Sequence, residues 1–214
     1  MALAEGYAER FTPKTGGQII ARYTGTMSAA TAQVEPDGME LTRSGRRFFL
    51  NSLGATGQAP VQALPATGVA QWVLFNTSTT VSLVIDSVGV GMASGTAGTG
   101  IVVVATLFQT PAQTGFTSGV SVLNASGNST RTSVVAVKSN ITITGPATAI
   151  WVPIAQNKNT NTAVLEAMAV NDDIRGRYIV PPLTGLGLSV ISPTGTNPLF
   201  VPVACWTELE SDLE

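Results

Sequence analysis

Histidine is absent from all 214 residues. Its absence removes the side chain that titrates nearest neutral pH, the commonest zinc ligand, and the base of Ser-His and Cys-His nucleophile pairs. Cysteine occurs once, at Cys205. No disulfide can form within the chain, and the apolar stretch around Cys205 predicts a buried, inert thiol. Charge is scarce: Asp, Glu, Lys and Arg make up 11% of the residues, against about 25% in an ordinary soluble domain. With a mean hydropathy of +0.28, so weakly charged a surface needs cover from a membrane or from other subunits.

A membrane is the poorer candidate. A spanning helix needs roughly 20 apolar residues in a row, and every such window is broken by Gly, Ser, Thr or Pro. A membrane barrel would gather aromatic girdles at its strand ends, yet aromatics are 6% of the chain and do not cluster. Residues 1–10 contain Glu5, Glu9 and Arg10 in place of an apolar signal core, which predicts synthesis in a cytoplasm. A net charge of −2 and a pI near 5.1 predict no nucleic-acid partner. Arg43, Arg46 and Arg47 form the one basic cluster, and they read as salt-bridge or subunit-contact residues.

Little remains for catalysis. Lys14, Lys138 and Lys158 sit in no Ser-Lys motif. Asp172 and Asp173 lack the surrounding oxygen ligands of a calcium loop and read as a turn. The glycines at 95, 98 and 100 lack the Gly-Lys-Ser/Thr ending of a phosphate loop. Trp72, Trp151 and Trp206 are too far apart in sequence to imply a sugar platform and read as core or interface residues. The acidic end, Glu208 to Glu214, reads as solvated. No catalytic, cofactor-binding or metal-binding residue is assigned, and the expectation is a non-enzymatic protein without cofactor.

Strand signals fill the rest. Leu186, Leu188 and Val190 alternate with Gly185, Gly187 and Ser189, the period of two of a strand with one buried face. After a turn-rich break at 192–198, residues 199–210 carry apolar side chains at both parities. The two segments read as antiparallel partners joined by a loop, the second covered on one face by the core and on the other by another copy of the chain. About eight short strands are expected after residue 68, together with a strand over 39–50. Loops are read at 92–100 and 110–119, and turns at 157–161 and 171–173. Residues 132–138 and 141–144 read as separate strands, and 162–170 as another. The predicted fold is an all-β, jelly-roll-like antiparallel β-sandwich over 68–214. Residues 1–67 supply an extended N-terminal arm that orders on assembly, early strands and a connector.

Phe49-Leu50, the run Gly57-Gln58-Ala59-Pro60-Val61-Gln62-Ala63-Leu64-Pro65, Ala70-Gln71-Trp72 and Ser94-Gly95-Thr96 carry a resemblance, as do Val180-Pro181-Pro182 and Gly185-Leu186-Gly187-Leu188 closing on Trp206-Thr207-Glu208. In these stretches the chain resembles small virion structural proteins of tailed bacteriophages. The resemblance implies a β-sandwich or jelly roll, often trimeric, displayed on the head or tail, and it transfers no functional residue. The function expected is therefore a virion component that decorates or stabilises the capsid surface. Its partners would be copies of itself, as a homotrimer, and the major capsid protein. Two alternatives stay open: a tail or fibre module binding host-surface glycan through loops 110–119 and 124–131, and a jelly-roll major capsid protein.

Overall fold

The computed structural model describes residues 39–52, 55–62, 69–95, 100–108, 116–117, 119–127, 129–142, 151–158, 169–192 and 198–210. The expected arm, the loop at 110–115 and residues 162–168 lie outside them. A short helix, α1 (Met39–Arg43), leads into β1 (Arg47–Asn51). There follow β2 (Val69–Asn76), β3 (Val81–Ser94), β4 (Gly100–Phe108), β5 (Phe116–Thr117), β6 (Ser121–Asn124) and β7 (Val135–Thr142). The chain then continues through β8 (Val152–Lys158), β9 (Ala169–Val180), β10 (Gly185–Ile191) and β11 (Leu199–Glu210). One sheet has the order β6-β1-β11-β3-β9 and the other β5-β7-β2-β10-β4-β8, antiparallel throughout. They face each other across a shared core, so the molecule is the all-β sandwich that the sequence predicts.

The pairing is nested. β1 pairs with β11, β2 with β10, β3 with β9 and β4 with β8, as if one long hairpin had been folded over on itself. The segment carrying β5, β6 and β7 widens both sheets at one flank, β6 beside β1 and β7 beside β2.

The strands β10 and β11 correct the sequence reading. They are not hydrogen-bonded partners, because β10 lies between β2 and β4 while β11 lies between β1 and β3. Their apolar rows meet across the sandwich: Leu186, Leu188 and Val190 on one side, Phe200, Ala204 and Trp206 on the other, all buried. Trp206 stacks on Phe48 of β1 with ring centroids 6.2 Å apart. Each fully buried side chain of this size contributes about 1.5–3 kcal/mol, which makes this layer the main cohesive element. β10 is also buried on both faces. The outward side of its sheet holds Val73 and Phe75, with Trp151 packed against them.

Other expectations shift with the ladder. Residues 39–43 are helix and only 47–51 are strand. β3 runs on through Ser94, into the expected loop. Val135–Thr142 is one strand, passing through Asn140 at φ 54°. Asn157 and Lys158 belong to β8. Asn171, Asp172 and Asp173 lie inside β9, paired with Gly89, Val88 and Ser87, so they are not a turn. Pairing with β3 overrides local turn chemistry there. Ten strands, where about eight were expected, follow residue 68.

Two side-chain amides on β2 close the sandwich near its ends. The β2–β10 ladder runs to Trp72↔Leu188, and from there Gln71 takes the place of backbone. Its Oε1 accepts from the Val190 N–H at 2.6 Å, and its Nε2 donates to the Ala59 carbonyl at 2.5 Å. Its own carbonyl accepts from Gln58 Nε2 at 2.9 Å. The connector held in this way pairs Gln58 with Phe200 of one sheet and Val61 with Ile191 of the other. Pro202 fits the same arrangement. Phe200 and Gln58 exchange backbone hydrogen bonds on this side of β11; two residues on, the Pro202 carbonyl accepts from Ser52 Oγ, and its missing N–H falls where the ladder is interrupted.

At the far end of β2, Asn76 is fully buried. Its Nδ2 donates to the carbonyls of Val81, Val180 and Pro181, and its Oδ1 accepts from the Ser78 N–H. It thereby joins the β2–β3 and β9–β10 crossovers, the latter turning through Leu183 at φ 57°.

Removing either amide strands buried backbone groups, at about 1–3 kcal/mol for each group left unpaired. Gln71→Leu and Asn76→Asp are both expected to lower the urea midpoint with an unchanged m-value. Asn76→Asp is the more damaging of the two at pH 7, since an ionised carboxylate can only accept and would face three carbonyl oxygens. Wild-type midpoints for both variants would show that these amides do not hold the crossovers.

Candidate functional site

The outward face of the β6-β1-β11-β3-β9 sheet carries the main cluster of charged and sulfur-bearing side chains among the described residues. A bulge between Ile85 and Ser87 pushes Asp86 out of the β3 ladder. Asp86 Oδ2 lies 3.1 Å from Arg47 Nε and accepts from Thr207 Oγ1 at 3.2 Å. Arg47 Nε also donates to Cys205 Sγ at 3.3 Å. Burial pushes the Cys205 thiol above its usual range, and the nearby Arg47 only partly offsets this. For Arg47 itself burial opposes the charge, but its contacts with Cys205 and Asp86 prevail and its pKa is raised. The result is a neutralised pair beside a protonated thiol. Asp86 Oδ2 also accepts from the Cys205 thiol at 3.9 Å, so arginine, threonine and cysteine converge on one carboxylate oxygen.

Cys205 is half-buried rather than enclosed. Of the three arginines singled out from sequence, Arg47 forms this ion pair and Arg46 approaches Glu210 at 4.0 Å, while Arg43 is exposed on α1. Trp72 and Trp206 are core residues, and Trp151 is half-buried against the outer cluster. Glu208 is not part of a solvated tail. It is buried, and its Oε1 accepts from Ser133 Oγ at 2.5 Å and the Val134 N–H at 2.9 Å.

Loop 124–131 is tied to its own chain. Asn124 Nδ2 donates to the Gly45 and Arg131 carbonyls, and Ser129 Oγ accepts from the Arg131 N–H. Gly45 sits at φ 70°, and a Cβ there would collide with Ser129 Oγ, so glycine is needed for the loop to close over it.

Two apolar surfaces remain exposed. On the outward face just described, Leu123 of β6 lies opposite Phe49 of β1, Phe49 opposite Cys205, and Val203 stands beside them on β11. At the opposite flank, where β8 packs against β9, a notch of about 220 Å³ is lined by Ala105, Leu107, Val152, Tyr178 and Leu186, with Thr106 alongside. Leu107 and Val152 at its rim are 47% and 44% exposed. Sequence reasoning expected one face of residues 199–210 to be covered by another copy, and Val203 lies on that outward face; it named neither Phe49 and Leu123 beside it nor the notch. A signal for the first was present in Phe48-Phe49-Leu50: three apolar residues in succession on a strand must turn one of them outward.

No family model, no curated protein and no solved structure matches this chain.

The thiol environment sets a pH dependence. Because the folded pKa of Cys205 lies above the unfolded value near 9.0, its contribution to stability is complete below that value. It declines as pH rises through the folded pKa. Native-state labelling with a thiol reagent should be slow at pH 7 and quicken only above pH 9, and the unfolded chain should react quickly. Fast native labelling at pH 7 would contradict the burial.

Proposed function

We propose that this chain is a non-enzymatic structural protein of a bacteriophage virion. It decorates or stabilises the capsid surface as a homotrimer, in contact with copies of itself and with the major capsid protein. The observation that carries the reading is the strand order. With β5, β6 and β7 set aside, the sheets read β1-β11-β3-β9 and β2-β10-β4-β8, a nested order that supports reading the sandwich as a jelly roll, an architecture used in viral capsids and in lectins. Fold alone does not assign function, so the exposed apolar surfaces supply the second support. Phe49, Leu123 and Val203 on one flank and Leu107 and Val152 on the other would be hidden by neighbours in an assembly.

The same strand order favours one other reading, a jelly-roll major capsid protein. The glycan-binding alternative gains less. Asn124 and Ser129, two polar side chains of its 124–131 loop, are engaged by the chain's own backbone.

Electron microscopy of the chain expressed alone separates these readings. A decoration protein yields small discrete oligomers that cosediment with preformed capsids. Closed shells assembled from this chain alone would identify it as the capsid protein. Monomers that ignore capsids but bind glycan arrays would overturn the proposal in favour of an adhesin.

A further inference from the structure

We propose that the tip made by the β2–β3 and β9–β10 turns, with Leu183 as its anchor, docks in an uncharged apolar socket on the capsid lattice. This rests on the capsid contact proposed above and names the surface that makes it.

Among the described residues only Asn140 and Leu183, apart from glycine, have φ in the left-handed region. Asparagine tolerates that region, whereas the Cβ of leucine crowds the following carbonyl, so glycine or asparagine is the residue expected there. Leu183 nevertheless sits at φ 57° and is 42% exposed. It belongs to neither core cluster. A left-handed leucine left in water gives the turn nothing that glycine would not, and backbone strain of this kind is kept where a partner uses it.

The tip is rigid before any partner arrives. Pro181 and Pro182 each fix a backbone angle. The Leu183 N–H donates to the Ser78 carbonyl at 3.1 Å, which ties the two turns together, and the Asn76 N–H donates to the Thr184 carbonyl at 2.9 Å. The Thr184 hydroxyl closes the turn on the Pro181 carbonyl at 2.8 Å. Besides Leu183 the exposed residues of the two turns are Thr77, Thr79, Thr80 and Pro181, and neither turn carries a charge. An apolar centre, a hydroxyl-bearing rim and little conformational entropy to lose suit a contact with protein, and the absence of charge selects an uncharged socket. Size selects the lattice over a second copy. Residues 77–80 and 181–184 make eight positions, where a stable interface takes about 20–30 residues on each side. So small a contact holds two free copies together only weakly, but it gains avidity when an oligomer sets several tips on a repeating surface.

The test compares the full wild-type chain with Leu183→Gly and Leu183→Asn, two replacements that accept the left-handed region, in cosedimentation with preformed capsids. Both variants should match or exceed the wild-type urea midpoint and keep its oligomer size in sedimentation velocity, while binding capsids about tenfold or more weakly. Capsid binding equal to wild type in both would overturn the inference and leave the capsid reading standing. A lower midpoint in both would mean that Leu183 serves the fold, and a smaller oligomer in both that it meets a second copy; either result overturns the proposal. A wild-type chain that ignores capsids would remove this inference together with the capsid contact beneath it.

Discussion

The structure depends on satisfying backbone polar groups where the chain crosses between sheets, in a molecule with few charges to spare. A nested sandwich sends the chain across at nearly every connection, and each crossing exposes N–H and C=O groups at the ends of the core. This chain meets the need with uncharged amides. Gln71 extends a ladder that its own backbone has left, and Asn76 gathers the carbonyls of two crossovers. An amide carries donors and an acceptor without the desolvation cost of an ion, so a charge-poor composition and a well-closed interior are compatible. Between these two nodes the Phe48–Trp206 stack and the rows from Trp72 to Val190 supply the cohesion.

The interior and the exterior follow different rules. Inside, the amide nodes are fully engaged, while Thr106 Oγ1, Trp151 Nε1, Ser192 Oγ, Trp206 Nε1 and Glu208 Oε2 are buried without a partner among the described residues. Outside, one sheet has its outward face buried around Val73 and Phe75, while the other leaves Phe49 and Val203 uncovered. That asymmetry gives the scarcity of charge a location. Among the described residues the exposed apolar side chains include Phe49, Leu123 and Val203 on one flank and Leu107 and Val152 on the other, where a neighbouring molecule would remove them from water.

The sequence revealed the fold class because period-two alternation survives in nearly every strand, most clearly at Leu186-Leu188-Val190. It did not reveal the partners of those strands. Successive strands separated by a Pro- and Gly-containing stretch suggest a hairpin, and only the long-range register of β11 with β3 and of β10 with β4 shows that the two strands belong to different sheets. Asn171-Asp172-Asp173 misled for a related reason: turn-forming side chains are tolerated in an edge strand, where one side of the ladder is open. The Arg47–Asp86 pair was half legible. The arginine cluster stood out, but its partner is brought within reach by a bulge that no local pattern announces.

The central proposal is that copies of this chain associate through the apolar side chains exposed at its surface. Methyl NMR over a dilution series addresses it directly. The account predicts that Leu107, Leu123, Val152 and Val203 shift or broaden as concentration rises, while the core methyls of Leu186, Leu188 and Val190 stay fixed. Spectra that are unchanged across the series, or that move equally in core and flank, would contradict it.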